Sequence, residues 1–267
     1  MTPISKTAFY CCGARMEDAR RMHSICSDSY AELFMNDYGL DIFSKFSNDW
    51  MCRLSMVLRH RIMDDILAEL LADDPRLQIV TLGCGFDSRP FRIKGGSWFE
   101  IDARPLIEHK NEKLPTRLSP NPVRRFSTDF GTRSMREILA NVTTDAPVVF
   151  VLEGVILYLS AREICRLLFT LRQLFPSHLL LCDLVSARIC TTYGSCVAAT
   201  LKKIGVRWNL IDAPQELIAS NRYDIVRTRS VLETAIDLGL SPCPKFLIRI
   251  FYPDEMQGNA IYLFKTV

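Results

Sequence analysis

The sequence predicts an α/β fold: a doubly wound, Rossmann-like parallel sheet carrying helical insertions. Three features predict it. Residues 78–82 and 147–152 are short continuous apolar runs, the composition of strands covered on both faces. Segments with apolar residues at helical spacing alternate with these and further strand-like runs, which is how crossover helices lay parallel strands side by side. The first run stops at Gly83-Cys84-Gly85, where residues without a Cβ allow a tight turn and close approach of a ligand to the main chain. At 267 residues, 48% hydrophobic and 24% charged, the chain can bury a full core and is expected to form one globular unit with decorations.

Residues 1–50 mix Arg15, Glu17, Asp18, Arg20 and Arg21 with Phe9, Tyr10, Tyr30, Phe34 and Tyr38, and read as short helices packed over the rest. Leu54, Leu58, Ile62, Ile66 and Leu70 recur every fourth residue and predict one helix over about 49–71 with a single buried face, ended by Asp73-Asp74-Pro75. After the strand at 78–82, a second is expected over 97–101, closing on Asp102. Pro105 suits the first turn of the following helix. A third strand over 123–126 ends at Thr128-Asp129-Phe130, a helix covers 134–140, and the strand at 147–152 ends at Glu153-Gly154. Ser160 and Glu163 have capping-box spacing ahead of Ile164, Leu167, Leu168, Leu171 and Leu174; Pro176 stops that helix and 178–185 supplies a fifth strand. Beyond Ser186 the pattern predicts a helix over 188–204, a short one over 214–219, a strand over 223–227, a helix over 231–238 and a last strand over 260–265.

The net charge of +3 comes from 33 basic and 30 acidic residues that are interleaved, without the basic stripe a nucleic-acid groove requires, so no nucleic-acid partner is expected. No run of 18 apolar residues and no signal-peptide pattern is present, which predicts a soluble, cytoplasmic protein without a membrane partner. The ten cysteines never fall at C-x-x-C spacing, and no metal site is expected.

In a doubly wound sheet, ligands bind beyond the carboxyl ends of the strands. Gly83 and Gly85, Asp102, Asp129 and Glu153 occupy those ends here. An acidic residue after the second strand suits a ribose diol, as in sites for NAD and for S-adenosylmethionine. Two details favour S-adenosylmethionine. The place of the third glycine in a dinucleotide fingerprint is Ser88, and Asp129 with Phe130 offers a carboxylate and an aromatic face suited to an adenine.

The blocks at 7–18 (TAFYCCGARMED), 58–67 (LRHRIMDDIL), 82–92 (LGCGFDSRPFR), 98–105 (WFEIDARP), 151–159 (VLEGVILYL) and 174–186 (LFPSHLLLCDLVS), with a looser one at 206–217 (VRWNLIDAPQEL), resemble the leucine carboxyl methyltransferase family, and within it the bacterial branch acting on small molecules. The resemblance implies a class I methyltransferase fold. Residues 1–75 would form an N-terminal helical cap and lead-in helix, and 76–267 the cofactor-binding core, with a lid insertion at about 186–221. It implies that Arg59 meets the methionine carboxylate of S-adenosylmethionine, with Arg61 as its competitor. The strand residue before the Leu-Gly pair, often acidic in methyltransferases, is Thr81 here.

Glu153 closes a buried strand, so it is expected to meet either the ligand's ammonium or a structural cation. Arg15 is a candidate to neutralise a carboxylate on cofactor or substrate, and Tyr158 to line the transfer pocket; none of the four histidines is assigned as a base. A carboxylate acceptor is ionised at neutral pH and needs none, which favours a small carboxylic acid as substrate. Two other readings stand beside it: methylation of a protein's C-terminal carboxylate, and a cofactor-binding fold that has lost or changed methyl transfer. Oligomeric state is not legible.

Overall fold

The computed structural model describes residues 2–46, 49–128, 133–143, 145–240 and 253–267. Its centre is a sheet with strand order β3-β2-β1-β4-β5-β7-β6, built from β1 (Gln78–Leu82), β2 (Ser97–Asp102), β3 (Val123–Ser127), β4 (Val148–Leu152), β5 (Leu179–Val185), β6 (Tyr223–Ser230) and β7 (Asn259–Thr266). The first five strands are parallel. β7 is antiparallel to both β5 and β6, so the expected parallel sheet is a mixed one. An apolar run reads the same in either direction, and only the connection between strands decides its polarity.

The helices are α1 (Pro3–Ala19), α2 (Ala31–Phe34), α3 (Asp37–Ser44), α4 (Trp50–Asp73), α5 (Arg89–Arg92), α6 (Arg104–Lys113), α7 (Arg133–Leu139), α8 (Ala161–Leu174), α9 (Ala187–Tyr193), α10 (Ser195–Lys203), α11 (Pro214–Ala219), α12 (Val231–Asp237) and α13 (Pro253–Gly258). Their ends follow local chemistry. Thr2 caps α1 by accepting from the Ser5 N–H, with Pro3 in the first turn, and Asp49 caps α4 by accepting from the Cys52 N–H. Ser160 and Glu163 complete a capping box on α8.

Two expectations are corrected. Residues 3–19 form one 17-residue helix, not several short ones. The helix expected over 188–204 is divided into α9 and α10 at Gly194, where a Cβ would lie 2.7 Å from the Cys190 carbonyl oxygen. Neither α5 nor α13 was anticipated.

Alternate strand residues face opposite layers, as the pleat requires. Ile79, Val149, Val151 and Leu181 pack with Leu58, Ile62 and Ile66 of α4. Val80, Leu82, Phe150 and Leu180 pack with Ile164, Leu168 and Leu171 of α8. β1 and β4 are buried along their whole length, so the carboxyl ends of these rigid central strands are a fixed platform. Among the described residues, no helix is long and apolar enough to cross a membrane.

Candidate functional site

A cleft of ≈ 430 Å³ opens beyond the carboxyl ends of β1, β2 and β4, with α1 and the middle of α4 as its roof and side wall. The turn after β1 forms its floor. Gly83 and Gly85 have φ of 75° and 46°, a left-handed backbone that glycine adopts without strain. Asp102 closes β2 beside this turn: one carboxylate oxygen accepts the Gly85 N–H and the other the Ala103 N–H, both at 2.7 Å. Each oxygen keeps a lone pair, so the group can accept two further hydrogen bonds from the cleft. Burial raises the Asp102 pKa, against the lowering effect of these two N–H groups.

Behind the floor lies a buried ionic network. The Glu153 carboxylate at the end of β4 meets Arg89 Nη2 at 2.7 Å and Arg59 Nε at 3.2 Å, and lies 3.2 Å from His60 Nδ1. Arg59 also pairs with Asp183 of β5 at 2.9 Å, while its Nη2 faces the Cys11 thiol at 3.8 Å. Arg89 is fully buried and further bridges Asp64 at 2.5 Å and Asp87 at 3.0 Å. Arg15 pairs with buried Asp28 at 2.8 Å and donates to the Phe86 carbonyl. A buried charge is tolerable only when paired, and each of these cations has an acidic partner.

The pKa directions follow. Burial alone would raise Glu153, but Arg89, His60 and Arg59 hold it well below the usual carboxylate range. Burial also opposes ionised Asp28, and Arg15 and Arg92 overcome it. His60 is pushed down by burial and then by Arg89, so it is neutral at pH 7. Both ring nitrogens are engaged: Nε2 faces Arg92 Nη2 at 2.7 Å, and Nδ1 faces Arg89 Nη2 at 2.9 Å and Glu153 at 3.2 Å. Tyr158, pushed up to about 12 by burial, keeps its proton.

Of the residues singled out from sequence, Arg15, Arg59, Gly83, Gly85, Asp102, Glu153 and Tyr158 all line this one cleft. Arg61 does not; it faces outward and pairs with Asp65. Asp129 and Phe130 lie outside the described residues. Glu153 meets protein cations, the structural alternative left open by the sequence. The sequence reading missed His60, Asp87 and Cys11 at the cleft, and also Trp208. It missed Asp183 behind Arg59, although an acidic residue inside an apolar strand, the logic applied to Glu153, also picks it out.

The leucine carboxyl methyltransferase family model matches residues 8–172, which contain every strand end that forms the floor. The chain belongs to the leucine carboxyl methyltransferase family. Curated proteins similar to it include the tetracenomycin polyketide synthesis O-methyltransferase of Streptomyces glaucescens, 26% identical over 60% of this chain and 57% of the relative. Another is an S-adenosyl-L-methionine-dependent methyltransferase of Gibberella zeae, 28% identical over 63% and 60%. The chain therefore spans less than two thirds of the length of these curated relatives.

Among solved structures, a DUF574 family protein of Streptomyces avermitilis superposes with a TM-score of 0.63 at 13% identity, covering 94% of this chain and 99% of that one. The magnesium protoporphyrin IX methyltransferase of Synechocystis, solved with bound S-adenosylhomocysteine, gives 0.52 at 15% identity, covering 88% and 96%. The fold is the class I methyltransferase fold.

Proposed function

We propose that this family member is an S-adenosylmethionine-dependent O-methyltransferase that esterifies a carboxylate of a small molecule. The observation that carries the reading is Asp102, which lines the cleft beside the Gly83–Gly85 turn with each carboxylate oxygen accepting one backbone N–H. That pair of acceptor oxygens fits the two hydroxyls of a ribose diol. When bound, the cofactor supplies a methyl group on a cationic sulfur, so that an acceptor oxygen gains the O–C bond, the C–S pair returns to sulfur, and a carboxylate needs no proton removed.

The chain's residues would bind, orient and exclude. Asp102 would hold the ribose, and the Gly85 turn would let the ligand lie close to backbone. Arg59 Nη2, turned away from Glu153 toward Cys11, would meet the amino acid's carboxylate, with Arg15 assisting. Glu153 and Asp87 would balance its ammonium. Asp129 and Phe130 are assigned the adenine from sequence. α1 and the insertion over 186–221 would close the cleft and exclude water. Neutral His60 has both ring nitrogens engaged and Tyr158 keeps its proton, so neither serves as a base at pH 7. This supports an acceptor that arrives ionised.

Titration calorimetry with S-adenosylmethionine and S-adenosylhomocysteine tests the cofactor, with saturable heat expected for both. A panel of small carboxylic acids, read by release of S-adenosylhomocysteine, tests the acceptor. No heat with either ligand would sink the reading, and turnover of phenols but not acids would overturn its carboxylate part.

A further inference from the structure

We propose that the methyl acceptor is a carboxylic acid with an apolar body, and that neither a hydroxylated acid nor the C-terminus of a peptide suits its place. The proposal rests on reading the cleft as a methyl-transfer site and names the class of acid that site takes. Sheet order separates the two ends of the cleft. β2 and β3 lie on one side of β1, so Asp102 marks the ribose end; β4 lies on the other, so the residues that follow it mark the acceptor end. There Ile4, Met56, Leu157, Tyr158, Leu159 and Trp208 make an apolar and aromatic wall.

Segments distant in sequence build this wall and fix it. The Asn209 N–H donates to the Leu157 carbonyl at 2.7 Å and its side-chain amide to the Tyr158 carbonyl at 2.9 Å, which ties the Trp208 segment to the turn at Ile156–Tyr158. Gly205 lies against the start of α1, where a Cβ on it would meet Pro3 Cγ at 3.5 Å.

The polar side chains along this wall are engaged with the protein. The Tyr158 hydroxyl has hydrogen-bond partners in Thr7 and Trp208. Thr7 Oγ1 donates to the Ile4 carbonyl at 2.7 Å, and the Thr2 and Ser5 hydroxyls share a hydrogen bond at 2.8 Å. Glu163 is held in its capping box with Ser160. The two arginines that line the cleft, Arg59 and Arg15, are paired with Glu153, Asp183 and Asp28.

A hydroxyl or amide carried into this end would lose its water and find each of these side chains already occupied, a loss that nothing offsets. An apolar body gains by the same transfer. A peptide is the sharper case, because the N–H and C=O groups beside its terminal carboxylate enter with it. The acceptor's carboxylate turns back toward the cofactor's cationic sulfur, so only the body lies against the wall.

Calorimetry of the full chain with butanoate, hexanoate, octanoate and benzoate tests this, with gluconate, trihydroxybenzoate and acetyl-Gly-Gly-Leu beside them and each run with and without S-adenosylhomocysteine. Affinity should rise about fourfold per added methylene, hence roughly a hundredfold from butanoate to octanoate. Gluconate should bind roughly tenfold or more weakly than hexanoate, trihydroxybenzoate than benzoate, and the tripeptide than octanoate. Ile4 is 50% exposed, so Ile4→Asn changes the wall and spares the core. In that variant octanoate should weaken roughly threefold or more, while butanoate and S-adenosylhomocysteine stay within about twofold of wild type.

An affinity that does not rise with chain length overturns the proposal. So does gluconate, trihydroxybenzoate or the tripeptide binding as tightly as its apolar counterpart, an octanoate affinity unchanged in I4N, or no binding of any acid by a chain that binds S-adenosylhomocysteine. Failure of S-adenosylhomocysteine to bind the wild type sinks the methyl-transfer reading separately, because the cofactor-free titrations report the wall by themselves. Should I4N fail to fold, the wild-type series decides on its own.

Discussion

Asp102 and Glu153 end neighbouring parts of the same platform, and their carboxylates are set in opposite directions. Asp102 has two backbone N–H groups and the charge of Lys110 against its burial and is still raised; Glu153 has Arg89, His60 and Arg59 and is held well below its usual range. Asp102→Ala should therefore weaken S-adenosylhomocysteine binding roughly tenfold or more, the loss of charge-assisted hydrogen bonds, while a cooperative melt persists, since the freed N–H groups face a cleft that water reaches; calorimetry and circular dichroism check both parts. Arg89→Met acts on stability. It strips Glu153, Asp64 and Asp87 of a partner that is 1% exposed, a change that costs about 3–5 kcal/mol. At roughly 2–4 °C per kcal/mol for a chain of this size, Tm should fall by about 10 °C. The sign with pH follows from the depressed Glu153. Its contribution is present above about pH 4.3, the unfolded glutamate value, and is lost as pH falls through its lower folded value. In the variant that depression is relieved, so the Tm gap between wild type and R89M should hold from pH 7 to about pH 4.3 and narrow only below it; a gap that widens in acid would reject this account of the network.

At the scale of elements, α1 joins sequence to site most directly, because it carries Thr7, Cys11 and Arg15 to the cleft. It is set in place by two glycine notches. A Cβ on Gly13 would lie 2.4 Å from the Phe43 ring, and one on Gly39 of α3 would lie 2.4 Å from the Phe9 ring. Two effects compete in Gly13→Ala: helix propensity gains about 1 kcal/mol, and overpacking costs about 1–3 kcal/mol. At 2.4 Å from a rigid ring the cost lies at the upper end, so a net loss of about 2 kcal/mol is expected in chemical denaturation, together with weaker S-adenosylhomocysteine binding as α1 shifts. Unchanged binding in a destabilised variant would separate α1 from the site. The same helix shows why part of the chain resisted reading. It buries Ser5, Thr7, Arg15 and Asp18 beside Phe9, Tyr10 and Cys12, so no apolar stripe marks its length. α4, with Leu58, Ile62 and Ile66 on one buried face, was legible at once. Gly194 divides α9 from α10 for the sake of Trp208, a contact distant in sequence and invisible to local pattern.

Across the whole molecule, what was legible is what the sheet makes periodic: β1 to β5 and, among the described residues, Asp102 and Glu153 at their ends. The polarity of β7 was not, because its apolar run fits either direction, nor were the partners of Glu153, since Arg89, His60 and Arg59 approach it from α5 and α4. The site therefore exists only when α4 and α5 are docked on the sheet, and a ligand in it should stabilise the fold as a unit. At a hundredfold excess over Kd, a ligand bound only by the native state adds about 2.7 kcal/mol, which for this chain is a rise in Tm of roughly 5–10 °C. S-adenosylhomocysteine should give that rise in a single shifted transition, NADH should give none, and Asp102→Ala should abolish most of it. A rise with NADH alone would return the Gly83–Gly85 turn to dinucleotide chemistry. A melt that splits in two, with only one phase moved, would show that the helices over the cleft and the sheet beneath it do not share the ligand.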